Sequence, residues 1–209
     1  MLPCLLRACT GQPKVVLLST TRPYNHYRAA LRRMGVKLDA MVQQGHAVFI
    51  EPPLPEPGGL RQLYTTILQA LQKIWTENCA QPLILCIDTL TDLRAQEAGQ
   101  QVWMQFLLQL RGLAHLLEGG VCLMLLVHTD IEGDAVWNCW LQHSAQVVWE
   151  VQALESGHSA AITGQVVCKL QCLSLQPGLI PSSASVPLHY GKTFNYRLSD
   201  ASVDIFELG

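Results

Sequence analysis

The 209 residues predict an α/β fold built on a mostly parallel, twisted sheet flanked by helices. Three observations carry that expectation. Short runs of consecutive apolar residues read as strands buried on both faces. Amphipathic helical segments alternate with them, as crossovers between parallel strands require. One run, Leu83 to Ile87, ends in Asp88, where open α/β sheets carry their ligand-facing side chains.

The first strand is Lys14 to Thr20, bounded by Pro13 and Pro23. A short helix follows, with Tyr24, Tyr27, Leu31 and Met34 at helical spacing on one side and Arg28, Arg32 and Arg33 directed elsewhere. Gly35 is its natural stop. His46 to Glu51 is the second strand, and residues 52–59 are too rich in proline and glycine for regular structure. Leu60 to Thr76 has the clearest helical period: Leu60, Leu63, Tyr64, Ile67, Leu68, Leu71, Ile74 and Trp75 form one apolar stripe. It crosses back to the Leu83–Asp88 strand.

Gln100 to Leu117 is a second long helix, apolar over much of its circumference through Val102, Trp103, Phe106, Leu107, Leu110, Leu113 and Leu117. Gly119 and Gly120 end it, and Val121 to His128 reads as another central strand. After a short helix near Ala135 to Leu141 the pattern becomes all strand: Gln146–Val151, Gln165–Leu173, Thr193–Leu198 and Val203–Leu208. These are expected as antiparallel additions at one edge of the sheet. The length suits one such domain, residues 1–209.

Four or five apolar residues followed by an acid is how phosphate-loop ATPases place a magnesium-organising carboxylate. The companion loop, G-x-x-x-x-G-K-[ST], cradles the phosphates with backbone N–H groups and a lysine. This sequence lacks it. The nearest fragment, Gly191-Lys192-Thr193, has Val186 where the first glycine belongs and is followed by alternating residues, so it is expected as a hairpin turn. Asp88 has two readings, a remnant of a nucleotide site or a cap for the next helix beside Thr89 and Thr91. His128, with Asp130, ends the neighbouring strand and shares that rim; no G-x-S-x-G nucleophile motif accompanies it. Glu132 and Asp134 are expected to begin a helix. Trp137, Trp140 and Trp149 read as base-stacking platforms or as packing residues.

Only 14% of residues are charged against 49% hydrophobic, where an average soluble domain carries about 25% charged. Such a surface is expected to be covered by partners; a compact monomer with a large core is the alternative. The longest apolar run, Val121 to Val127, falls short of the roughly 20 residues that span a bilayer, and Met1 to Leu6 lacks the features of a secretory signal. Eight scattered cysteines, several in apolar strands (Cys86, Cys122, Cys168), suit a reducing compartment. Cys168 and Cys172 would lie about 13 Å apart on one strand, too far to bridge, and no metal site is expected. The net charge of −2 hides an asymmetry: the first 38 residues hold seven of the fourteen lysines and arginines and no acid. Arg28, Arg32, Arg33 and Lys37 therefore form either a face for RNA or an acidic partner, or a solvated helix face.

Several segments in order resemble the sixth subunit of the Elongator complex, a RecA-like protein with degenerate ATPase motifs. They are Lys14–Leu18, Asn25–Tyr27, Met34–Leu38, Gln44–Glu51, Ile87–Leu90, Leu126–His128, Lys192–Tyr196 and Asp200–Val203. The specificity lies in their order and spacing, and they cover most of the chain. The resemblance implies a RecA-like fold without a phosphate loop. It also implies a subunit that is not an enzyme, with no catalytic residue and no cofactor. Subunits four, five and six of that family form a heterohexameric ring that binds tRNA and assists the Elongator core in modifying the wobble uridine. The implied partners are thus Elongator subunits four and five, the core subunits and tRNA, in the cytoplasm or also the nucleus, without a membrane. A RecA-like core usually has an earlier strand, phosphate loop and helix; Met1 to Gln12 would be what remains of that helix, with the sheet shortened or completed by a neighbour. Two alternatives stand: a RecA-like or kinase-like enzyme with an atypical nucleotide site at Asp88 and His128, and the fifth Elongator subunit.

Overall fold

The computed structural model describes residues 13–52, 59–75, 82–96, 99–114, 121–131, 133–154, 157, 159, 161–170, 190–199 and 202–207. The chain divides into two compact units, one ending at Asp130 and one beginning at Ile131.

The first unit contains β1 (Lys14–Ser19), α1 (Tyr24–Arg33), α2 (Leu38–Gln43), β2 (Ala47–Ile50), α3 (Gly59–Ile74), β3 (Leu83–Asp88), α4 (Leu90–Gln96), α5 (Gln100–Leu113) and β4 (Val121–Leu125). Its sheet has the order β2-β1-β3-β4 and every pair is parallel. Parallel pairing explains the sequence of the two inner strands. With helices on the faces, neither side meets water, so β1 and β3 are apolar at successive positions. Val16, Leu18, Leu85 and Ile87 are fully buried. α3 packs on β1 and β2 and against α5, burying Leu60, Leu63, Ile67, Leu71 and Ile74 on its inner stripe. The buried Lys14 at the start of β1 donates from Nζ to Ile74 O at 2.6 Å, setting a cation on the carboxyl end of α3, where the helix dipole favours it.

Gly35 ends α1 as expected. Its φ of +81° is the left-handed conformation that glycine adopts at no steric cost, and Val36 N donates to Leu31 O at 2.8 Å to close the turn. The chain then enters α2, a two-turn helix that the sequence reading missed. α5 is less enveloped than expected: Trp103, Phe106, Leu107, Leu110 and Leu113 are buried, but Val102 and Leu108 are about half exposed. Leu117 lies outside the described residues. β4 is an edge strand, not a central one. Only Val121 is buried along it, and Cys122 is exposed, so its apolar run reflects partial cover on an edge and not burial between two neighbours.

The second unit contains α6 (Ala135–Ser144), β5 (Val147–Gln152), β6 (Gly164–Leu170), β7 (Tyr190–Leu198) and β8 (Val203–Glu207). The antiparallel pattern is as expected, but these strands hydrogen-bond to one another in the order β5-β6-β7-β8 and form a sheet of their own. Gly191, Lys192 and Thr193 lie inside β7, opposite Lys169, Cys168 and Val167. The expected hairpin turn there is therefore corrected: with alternating side chains on both sides, the segment simply continues the ladder. Period-two alternation sorts this sheet into two faces. One carries Val147, Trp149, Val151, Leu170, Leu198 and Ile205, each exposed by 41% to 66%. The other carries the cross-strand ion pairs Lys169–Glu150 and Arg197–Asp204, while a third pair, Lys192–Glu207, lies on the first face. Asp134 is the residue before α6 and makes no side-chain cap; Glu132 and Cys172 lie outside the described residues.

Candidate functional site

The carboxyl ends of β1, β3 and β4 meet at a rim that draws together residues far apart in sequence. Thr20, just past β1, is its centre. Its backbone N–H donates to Asp88 O at 2.7 Å. Its hydroxyl accepts from Thr89 N at 2.9 Å and has Asp88 O at 2.9 Å, with Thr89 O and the Asp92 carboxylate each at 3.3 Å. Threonine supplies both donor and acceptor from one atom, which suits a crossing of two strands and a helix start. The peptide bond between Asp88 and Thr89 is cis.

Thr89, not Asp88, caps α4: its Oγ1 accepts from Thr91 N at 3.3 Å, the geometry of a helix N-cap. The same hydroxyl donates to Leu126 O at 3.2 Å, while Leu90 N reaches Leu126 O at 2.9 Å. His128 N donates to Thr91 Oγ1 at 2.8 Å. Three threonines thus lace β1, α4 and the end of β4 together. Thr89 and Thr91 are buried, at 2% and 4% exposure.

Asp88 is half-buried, and burial pushes its carboxyl above the usual range; Asp92 adds to the rise, while His128, His26 and Arg22 oppose it. Asp88 and His128 are therefore brought to one rim, with Asp92, His26 and Arg22 beside them. Among the described residues no group of three or more His, Cys, Asp or Glu side chains is arranged to hold a metal ion. The sequence reading missed Thr20, Asp92, His26 and Arg22, whose residue types are ordinary and whose proximity arises only from the parallel register Ser19↔Asp88.

The basic residues lie on α1. A shallow depression of about 560 Å³ is lined by Asn25, Arg28, Ala29, Arg32 and Arg33, one stripe at spacings of three and four. Three of the four expected cations are brought together. Lys37, exposed before α2, is not part of this lining. The cluster is also not free of acids, as the sequence had suggested. The turn after α1 brings Asp39 back, and its Oδ2 pairs with Arg28 Nε at 2.9 Å. Asp39 Oδ1 accepts from Tyr24 Oη at 2.7 Å, and burial, followed by Asp39, raises the Tyr24 phenol above its usual value.

No protein-family model matches the chain. Elongator complex protein 6 of Mus musculus is 25% identical over 94% of this chain and 80% of its own length. Its Homo sapiens counterpart is 24% identical with the same coverage. The chain is similar to Elongator complex protein 6 along nearly its whole length. Among solved structures, the crystal structure of a KaiC-like protein from the archaeon Pyrococcus horikoshii superposes with a TM-score of 0.58 at 12% identity. That match covers 93% of this chain and 77% of the other. It supports the RecA-like fold, with which the four parallel strands and flanking helices agree. Among the described residues no helix is long and apolar enough to cross a membrane.

Proposed function

We propose that this chain is a non-catalytic subunit of an Elongator complex. It sits with subunits four and five, two further RecA-like chains, in a heterohexameric ring that binds tRNA and assists wobble-uridine modification by the core subunits. The observation that carries this reading is the similarity to Elongator complex protein 6 of mouse and human over 94% of the chain. Two features of the molecule support it. The sequence has no phosphate-binding loop to serve Asp88, and the hydroxyls of Thr20, Thr89 and Thr91 beside Asp88 are engaged with backbone groups. The exposed apolar face of the antiparallel sheet suits a chain that lives in an assembly, since large apolar patches are rare on lone soluble proteins.

The test is affinity purification of the tagged chain from its own cells, with mass spectrometry of what comes down. Two other RecA-like chains with the large Elongator subunits behind them are expected. A lone chain would overturn the proposal.

A second reading has one observation in its favour. Asp88 and His128 share the ligand-facing rim, and Asp88 has a raised pKa, as acid–base residues often do. In that reading the chain binds nucleotide at an atypical site. Saturable ATP binding abolished by Asp88→Ala would establish it, and no binding at millimolar ATP would dismiss it.

A further inference from the structure

The α1 depression gathers three guanidinium groups on one open stripe of the helix. Arg28 and Arg32 are one helical turn apart, about 6 Å along the axis, an interval comparable to that between neighbouring phosphates on one strand. Ala29 lies between them, so the floor is open to a group approaching the helix backbone. Besides alanine, the lining is three guanidinium groups and an amide. Guanidinium forks match phosphate oxygens in a bidentate way. The lining contains no aromatic ring on which a base could stack. Such a site reads charge and backbone geometry and is indifferent to base identity.

The three arginines are not equivalent. Arg32 and Arg33 are exposed and carry no ion pair among the described residues. Arg28 is held by Asp39 at 2.9 Å, with both side chains about half exposed. Asp39 is itself fixed by the Tyr24 hydroxyl on its other oxygen. A carboxylate pinned in that way acts as a resident counter-anion that an incoming phosphate must compete with for Arg28.

We propose that this stripe of α1 is a binding site for the phosphodiester backbone of RNA. Arg32 and Arg33 take phosphates directly, and Asp39 limits the contribution of Arg28. The choice of RNA over another polyanion rests on the function proposed above; the geometry itself asks only for spaced phosphates.

The test is fluorescence anisotropy of the purified full chain with labelled oligouridylate, repeated over a range of salt. Arg32→Ala/Arg33→Ala should weaken binding severalfold and flatten the plot of log affinity against log salt by about 0.7 for each lost contact. Asp39→Asn, which keeps an oxygen for Tyr24 and removes the charge, should strengthen binding and steepen the slope by about 0.7 as Arg28 becomes available. Oligoadenylate and oligocytidylate should bind like oligouridylate. No binding by the unaltered chain, or an unchanged slope in both variants, would overturn the site. Loss of Elongator partners from the arginine variant with RNA binding intact would also overturn it, assigning the stripe to an acidic protein surface. Co-purification of the unaltered chain with Elongator subunits does not depend on this titration, so the two proposals fail separately.

Discussion

Replacing Thr20 by valine keeps the shape of the side chain and removes one oxygen. That oxygen accepts from Thr89 N at 2.9 Å and lies 2.9 Å from Asp88 O. Thr89 is 2% exposed, so water cannot readily replace the lost acceptor. An unpaired buried donor costs about 1–3 kcal/mol, and a value near the middle, about 2 kcal/mol, is expected because the backbone bond from Thr20 N to Asp88 O, at 2.7 Å, survives. At this chain length each kcal/mol lowers Tm by roughly 2–4 °C. Thermal melting of the purified chain should therefore show a fall of about 4–8 °C, and amide exchange at Thr89 should quicken. Thr20→Ser, which keeps the oxygen, should restore slow exchange at Thr89. A valine variant that melts with the parent and protects Thr89 equally well would refute the idea that this hydroxyl fastens the rim.

Four further outcomes follow from particular atoms. A methyl group on Gly164 would stand 2.6 Å from Gln152 O and 2.8 Å from the Tyr196 ring, so Gly164→Ala should cost about 1–3 kcal/mol, read as a lower Tm. Burial pushes the Cys86 thiol up to about 11, while Cys122 and Cys139 are exposed; iodoacetamide at pH 8 should modify Cys122 and Cys139 well before Cys86. The same shift has a stability consequence at high pH. Above the ordinary thiol value of 9.0 the unfolded chain ionises first, so this thiol should lower stability as pH rises from there towards about 11, and Cys86→Ala should remove the thiol's share of that fall. Asp88, also raised in the folded chain, holds its proton there at pH values where the unfolded chain has lost it. Stability should decline as pH rises through that window, and Asp88→Asn should abolish the decline, as urea titrations at several pH values would register.

The parallel core was legible because its cause is local. Continuous apolar runs at Val15–Leu18 and Leu83–Ile87 have few explanations other than strands covered on both faces. The stripe on α3 and the stop at Gly35 follow from helical geometry in the same way. What was not legible depends on contacts across the fold. Val121–Leu125 is as apolar as β3, yet occupies an edge, because strand order is not encoded in composition. Gly191-Lys192-Thr193 contains a residue type favoured in turns, but its place in the ladder is set by the partners Lys169 to Val167. Thr89 and Thr91 stood out in the sequence only as neighbours of a candidate cap, and the hydroxyl of Thr20 not at all; it matters because parallel register puts Ser19 beside Asp88. Asp39, the first acid after a long basic stretch, was the one available sign that the arginine cluster carries a counter-charge.

On the function proposed above, this chain acts through its partners and not through a nucleotide site of its own. Native mass spectrometry of the assembly recovered on the tagged chain tests it most directly. The expected species is a hexamer of two copies each of this chain and two other RecA-like chains, with no nucleotide bound to this subunit. A monomer, or a homo-oligomer carrying nucleotide, would contradict it.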